Sequence, residues 1–196
     1  METIVTYDFS VLWWIQEHLR TTFGDAAMPI ITHLGSAGIV WIVAAFVLLC
    51  IPKYRKCGID MLIGMLIGLI VGNLILKNLV ARSRPCWINT DAPAMLIAIP
   101  QDYSFPSGHT LSSTIASLVL LRHDRRIGIP AAVLAVLIAF SRMYLFVHFP
   151  TDILGGLLLG LPIGWGTPLL TERFRARFFP KKEEQPLPEP EKETIP

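Results

Sequence analysis

Charge is what this sequence has least of: only 16% of its 196 residues are Asp, Glu, Lys or Arg, where a soluble domain carries about 25%. The shortfall excludes a disordered chain and a coiled coil, both of which depend on charged surface. A strong excess of one sign is also missing. The formal net charge is +2, too small for a surface that neutralises a run of phosphates, so no nucleic-acid partner is expected. Cysteine is sparse and odd in number: Cys50, Cys57 and Cys86 cannot build a disulfide framework. Glu2 and Asp8 come before any base, so a cleaved leader with a positively charged start is not expected.

What the sequence has instead is apolar length, with 53% hydrophobic residues and a mean hydropathy of +0.53. A hydrocarbon core about 30 Å thick needs roughly 20 apolar residues in a helix. Pro29 to Ile51, Ile59 to Leu76, Ile127 to Val147 and Ile153 to Leu170 meet or approach that length, and Ser107 to Leu121, third in chain order, is shorter and more polar. The expected fold is therefore all-α, a polytopic membrane helix bundle of about five transmembrane helices. Upstream, Asp8 to Phe23 reads as an amphipathic helix, with Phe9, Leu12, Trp13, Ile15 and Leu19 in a headgroup layer. The expected division is an N-terminal interfacial segment over 1–26 and a membrane domain over 27–179. A disordered tail over 180–196 follows, with four prolines and eight charges from Lys181 onward.

Bases crowd every second loop: Lys53, Arg55 and Lys56; Arg122, Arg125 and Arg126; Arg173, Arg175, Arg177, Lys181 and Lys182. The bias of Lys and Arg toward the cytoplasm puts this face, and the C-terminus, inside. Lys77, Arg82, Arg84 and Arg142 then fall on the outer side, together with His109, His148 and Asp152, although these residues come from separate stretches of chain. Ionisable groups at membrane depth are costly and usually functional. Lys77 and Arg84, seven residues apart, would share one face of a helix that Pro85 stops, and two cations there can grip a dianion. Arg82 lies about 140° around such a helix, and its contact with the same ligand stays open. Pro106, Ser107, Gly108 and His109 open the third span, where unpaired amides and the positive end of the helix dipole form an anion site. Asp152, four residues after His148, can accept its imidazole N–H and free the other nitrogen as a nucleophile. Metal ligation by this pair is disfavoured by the surrounding cations, and no cofactor is expected. His18, His33 and His123 read as structural.

Three motifs carry a resemblance. Lys77-Asn-Leu-Val-Ala-Arg-Ser-Arg84-Pro85, then Pro106-Ser107-Gly108-His109, then Ser141-Arg142 followed by His148 and Asp152, resemble the signature of the type 2 phosphatidic acid phosphatases. These are membrane lipid phosphatases whose site is shared with vanadium-dependent haloperoxidases. The resemblance covers about residues 57 to 170. It implies a metal-independent phosphatase in which His148 forms a phosphohistidine, Asp152 orients it, and His109 protonates the leaving oxygen. Lys77, Arg84, Ser107, Gly108 and Arg142 would hold the phosphate oxygens. It further implies a lipid phosphate substrate, undecaprenyl diphosphate by preference, with phosphatidylglycerophosphate or phosphatidate as the alternative. The segment Cys86 to Phe105, which contains no Lys or Arg, would cover the site, with Trp87, Met95, Leu96, Ile97 and Ile99 dipping into the interface. A non-catalytic anion binder or transporter remains a second reading, and the oligomeric state is not legible.

Overall fold

The computed structural model describes residues 2–89 and 91–178, and among these no strand occurs. The helices are α1 (Glu2–His18), α2 (Thr22–Leu34), α3 (Ile39–Cys50), α4 (Arg55–Gly68), α5 (Lys77–Val80), α6 (Pro85–Ile88), α7 (Gly108–His123), α8 (Arg125–Tyr144) and α9 (Pro150–Phe178). A π-helical stretch, Leu69–Leu76, joins α4 to α5. The expected tail over 180–196 lies outside the described residues.

Pro52–Ile88, Arg125–Tyr144 and Pro150–Phe178 are each long and apolar enough to cross a bilayer. The expected single run from Pro29 to Ile51 is instead two helices, α2 and α3, bent by 43°, which together have the length of a fourth span. The bend falls on Gly35-Ser36-Ala37-Gly38, where Gly38 takes a φ of 68° that only glycine adopts without strain. The third expected segment is α7, whose 16 residues rise about 24 Å.

Short as it is, α7 is the centre of the bundle, with nine of its residues buried. Two glycine ladders make this packing achievable. Gly64, Gly68 and Gly72 face Ile115 and Leu111, while Gly156, Gly160 and Gly164 of α9 face Thr110, Thr114 and Ile115. With no side chains on those faces, α4 and α9 bring their backbones against α7, the way small residues pack helices in lipid. Elsewhere α3, α4, α7 and α8 share an apolar core around Trp41, Met61, Val119 and Ile138.

The two ends of the bundle differ. At one, the buried Asp60 of α4 accepts from Thr171 (2.6 Å), pairs with His123 (2.8 Å) and lies 3.7 Å from Arg175. Tyr54 Oη also donates to Asp124 there, at 2.8 Å. The bases at 53–56, 122–126 and 173–177 gather at this end, where His123 is held by Asp60. At the other end, α1 packs on the α8–α9 turn. Leu12 and Ile15 are buried against Tyr144, Leu145, Phe146, Val147 and Phe149 rather than lying in a headgroup layer, while Trp14 is exposed. Met95, Leu96 and Ile97 of the loop before α7 join the same cluster.

The glycine packing yields a test with an internal control. A Cβ on Gly156 would stand 2.7 Å from the Ser107 carbonyl oxygen, whereas nothing lies within 4 Å of one on Gly166. Gly156→Ala is expected to cost about 1–3 kcal/mol, read as a lower melting temperature in detergent. Gly166→Ala should leave the melt unchanged or raise it, since alanine is the better helix former. Equal melts for the two variants would refute this account of the bundle.

Candidate active site

Lys77 and Arg84 do not share a helix face. The helix ends at Val80, Ala81 takes a left-handed φ of 47°, and Arg82 to Arg84 run without helical structure into Pro85, which opens α6. Pro85 explains the extended backbone of Arg84, because its ring disfavours the helical conformation in the residue before it. The two cations meet instead through Asp102, in the loop before α7. Lys77 Nζ donates to Asp102 Oδ2 (2.5 Å) and Arg84 Nη2 to Oδ1 (2.7 Å). Arg84 also holds that loop by its backbone, donating from Nε to the Asp102 carbonyl (2.7 Å) and from Nη2 to the Tyr103 carbonyl (3.3 Å). Burial by itself would raise the Asp102 carboxyl, but the Lys77 hydrogen bond and the Arg84 charge outweigh it and hold it at about 2.

The start of α7 follows the pattern of a capped helix. Ser107 is the N-cap, its Oγ accepting from the Thr110 amide (3.4 Å) and from Thr110 Oγ1 (3.1 Å). Its side chain is buried beneath the turn, and Ser107 does not line the cavity described below. Gly108 does line it, beside Asn73: a Cβ there would stand 2.9 Å from Asn73 Oδ1. His109 Nε2 is buried and has no hydrogen-bond partner among the described residues.

His148 lies in the turn between α8 and α9, fully buried. Arg84 Nη1 donates both to the Val147 carbonyl (2.8 Å) and to His148 Nε2 (3.0 Å). A guanidinium offers no lone pair, so Nε2 must be the unprotonated nitrogen and Nδ1 must carry the proton. Nδ1 then faces Asp152 Oδ2 at 3.4 Å. Burial first, and then the Arg84 and Arg142 cations, push the His148 imidazole well below its ordinary value, which keeps it neutral. Asp152 is held on every side: Ser104 Oγ and the Phe149 amide donate to Oδ2, and Arg82 Nη1 donates to Oδ1 at 2.7 Å. Arg82 therefore faces away from the cavity. Its other arm donates to the fully buried Asp8 of α1 (2.6 Å), its guanidinium sits 4.1 Å from the Phe149 ring centre, and Asp8 in turn accepts from the Thr151 amide and hydroxyl. Arg142 donates to Thr32 Oγ1 (2.6 Å), while its Nε is buried without a partner.

Lys77, Arg84, Gly108, His109, Arg142 and His148 line a single cavity of about 800 Å³. Asp152 supports it from behind. Within it, three cations face one carboxylate, that of Asp102, while behind it Arg82 faces two, Asp8 and Asp152, so among these residues the positive charges exceed the negative by one and the excess lies on the cavity side. The unpartnered His109 Nε2, Arg142 Nε and Asn73 Oδ1 all belong to residues of this cavity. Such a cradle suits a polyanion with several acceptor oxygens. The cavity continues past the bend at Gly35–Gly38 into an apolar wing between Ile42, Leu62, Met65, Leu66, Leu69 and Ile115. Sequence reasoning missed Asp8 and Asp102. Both would have surfaced from asking which acids neutralise the outer-side bases, since buried cations need partners.

Comparison with known proteins identifies the family. The model of the PAP2 superfamily matches residues 58–176. An undecaprenyl-diphosphatase of Sulfolobus acidocaldarius is 39% identical over 123 residues, 62% of this chain, and the match spans 58% of that relative's length. Phosphatidylglycerophosphatase B of Bacillus subtilis is 33% identical over 156 residues, 73% of each chain. The crystal structure of the transmembrane PAP2-type phosphatidylglycerolphosphate phosphatase from Bacillus subtilis superposes with a TM-score of 0.71 at 28% identity, covering 91% of this chain and 90% of that one. With a family match over more than half of the sequence and a relative above 30% identity across nearly three quarters of it, this chain belongs to the PAP2 superfamily.

Proposed function

We propose that this membrane protein is a lipid phosphate phosphatase that works through a phosphohistidine and needs no metal. The observation that carries the reading is the single cavity joining the imidazoles of His109 and His148, three cations and an apolar wing. Phosphoryl transfer asks mainly for positioning and for charge stabilisation. His148 Nε2 attacks phosphorus as the bond to the leaving oxygen breaks, and His109 gives that oxygen a proton. His109 then takes a proton from water, which attacks the phosphohistidine and releases inorganic phosphate. Asp152 holds the proton on Nδ1 and offsets the charge that develops on the ring. Lys77, Arg84, Arg142 and the Gly108 amide hold the equatorial oxygens, with Ser107 placing that amide from the N-cap.

The apolar wing favours a substrate whose tail stays in the bundle while its phosphate reaches the cations. Among the relatives, the undecaprenyl-diphosphatases of Sulfolobus acidocaldarius and Bacillus subtilis support undecaprenyl diphosphate, hydrolysed to undecaprenyl phosphate. The phosphatidylglycerophosphatase of Bacillus subtilis supports the alternative, phosphatidylglycerophosphate. The basic loops lie at the end opposite the cavity and support an extracytoplasmic site with a cytoplasmic C-terminus.

Three measurements test these assignments. Protein purified in detergent is expected to release phosphate from undecaprenyl diphosphate in the presence of EDTA, and His148→Ala to abolish the release; a fully active variant would remove the nucleophile. Arg142→Ala should lower kcat by about 10²–10³-fold, the range for losing one preorganised donor to a transition-state charge. In a chain freed of its own cysteines, Gln101→Cys should react with a membrane-impermeant maleimide on intact cells, and protection until lysis would reverse the topology.

A further inference from the structure

A cationic cradle opening into a bilayer faces a problem that the catalytic groups do not address. Anionic membrane lipids carry phosphodiester headgroups, which would also satisfy Lys77, Arg84 and Arg142. We infer that Asp102 is the specificity-determining residue that keeps such monoanionic phosphodiesters out, by occupying Lys77 and Arg84 until a more highly charged phosphate monoester or diphosphate displaces it. This inference rests on the phosphatase reading above, since it takes the Lys77–Arg84 pair as the phosphate clamp.

Four observations carry it. The Asp102 carboxylate bridges the two cations, Nζ of one and Nη2 of the other, as a phosphate would. It differs from its partners in exposure: the side chains of Lys77 and Arg84 are 10% and 2% exposed, that of Asp102 56%. The cations are fixed while the anion is within reach of water. The backbone around Asp102 is pinned independently of its carboxylate, by Arg84 Nε on the Asp102 carbonyl, by the Ser104 amide on the Arg82 carbonyl (2.8 Å) and by Trp87 Nε1 on the Pro100 carbonyl (3.1 Å). A side-chain rotation therefore releases Lys77 Nζ and one N–H of Arg84 Nη2, while the other Arg84 bonds keep the loop in place. Finally, the carboxylate stands between the deep cavity and a second one of about 410 Å³, lined by Asn73, Lys77, Asn78, Gln101, Asp102 and Tyr103. That second space can receive the displaced carboxylate.

The selectivity follows from charge and tethering. A carboxylate fixed to the loop competes at an effective concentration in the millimolar range, with no translational entropy to lose. A phosphodiester brings one negative charge in exchange for one, so it gains little over the tethered group. A monoester or diphosphate brings more and places oxygens on Arg142 as well, so it displaces Asp102. The same competition favours departure of inorganic phosphate after hydrolysis.

The test uses the full chain in mixed micelles, with phosphate release from undecaprenyl diphosphate as the readout and two inhibitors as probes. These are phosphatidylglycerol, a monoanionic phosphodiester lipid, and inorganic phosphate, which has no tail. In Asp102→Asn both inhibition constants are expected to fall at least about tenfold, with KM and kcat falling together as substrate and product bind more tightly. Asp102→Glu, which keeps the charge, should stay near the parent. Unchanged inhibition by phosphatidylglycerol in Asp102→Asn overturns the proposal. Tighter binding of inorganic phosphate alone also overturns it, since the lipid headgroup would then be excluded by other means. Should Asp102→Asn lose turnover, its thermal stabilisation by phosphatidylglycerol in lipid-free detergent replaces the kinetic readout, and stabilisation no larger than the parent's counts against the idea. The underlying phosphatase reading fails separately, through retained activity of His148→Ala.

Discussion

Positive charge buried in an apolar bundle is the constraint from which the rest of this structure follows. Guanidinium and ammonium groups are costly away from water unless anions meet them, yet Arg84 and Arg142 are almost wholly enclosed at one end of the protein. Two kinds of partner meet that requirement. Arg82 is matched permanently, by the buried Asp8 and Asp152. Lys77 and Arg84 are matched by the half-exposed Asp102, and among the described residues Arg142 has the Thr32 hydroxyl as its side-chain acceptor and no carboxylate. The permanently paired base becomes scaffold, and the incompletely paired ones form the anion cradle.

Scaffold and cradle are linked through His148. Arg84 fixes Nε2 from the cavity side and Asp152 faces Nδ1 from behind, so the ring is oriented by groups of opposite charge. Asp152 depends in turn on Arg82, which depends on Asp8 in the first helix. That helix lies outside residues 58–176, the part that matches the family model, yet its Leu12 and Ile15 are buried beneath the turn that carries His148. A carboxylate near the N-terminus is thereby part of the support for the proposed nucleophile.

The bundle serves the same end by placing α7 at its centre. Glycine faces on α4 and α9 let their backbones approach a helix too short to span with margin. The first turn of α7, with Gly108 and His109, thereby lines the cavity between its neighbours. The bend at Gly35–Gly38 lines the same cavity, which has cations at one part and apolar side chains at another.

The apolar runs, the basic loops and the three motifs were legible in the sequence, because hydropathy and charge asymmetry are local properties that lipid and water enforce on any fold. The gathering of His109, His148, Lys77, Arg84 and Arg142 was legible for the same reason: the loop charges put all of them at the same end of the expected spans. The arrangement within that side was not. Lys77 and Arg84 were expected on one helix face, but the chain turns at Ala81, and a loop acid 18 residues beyond Arg84 brings them together. Asp8 and Asp102 carried no motif, since a counter-ion is defined by which charge it meets in space rather than by its neighbours in the chain. Periodicity sets which residues reach a membrane face; only tertiary packing decides which of them are neutralised and which are left to hold a ligand.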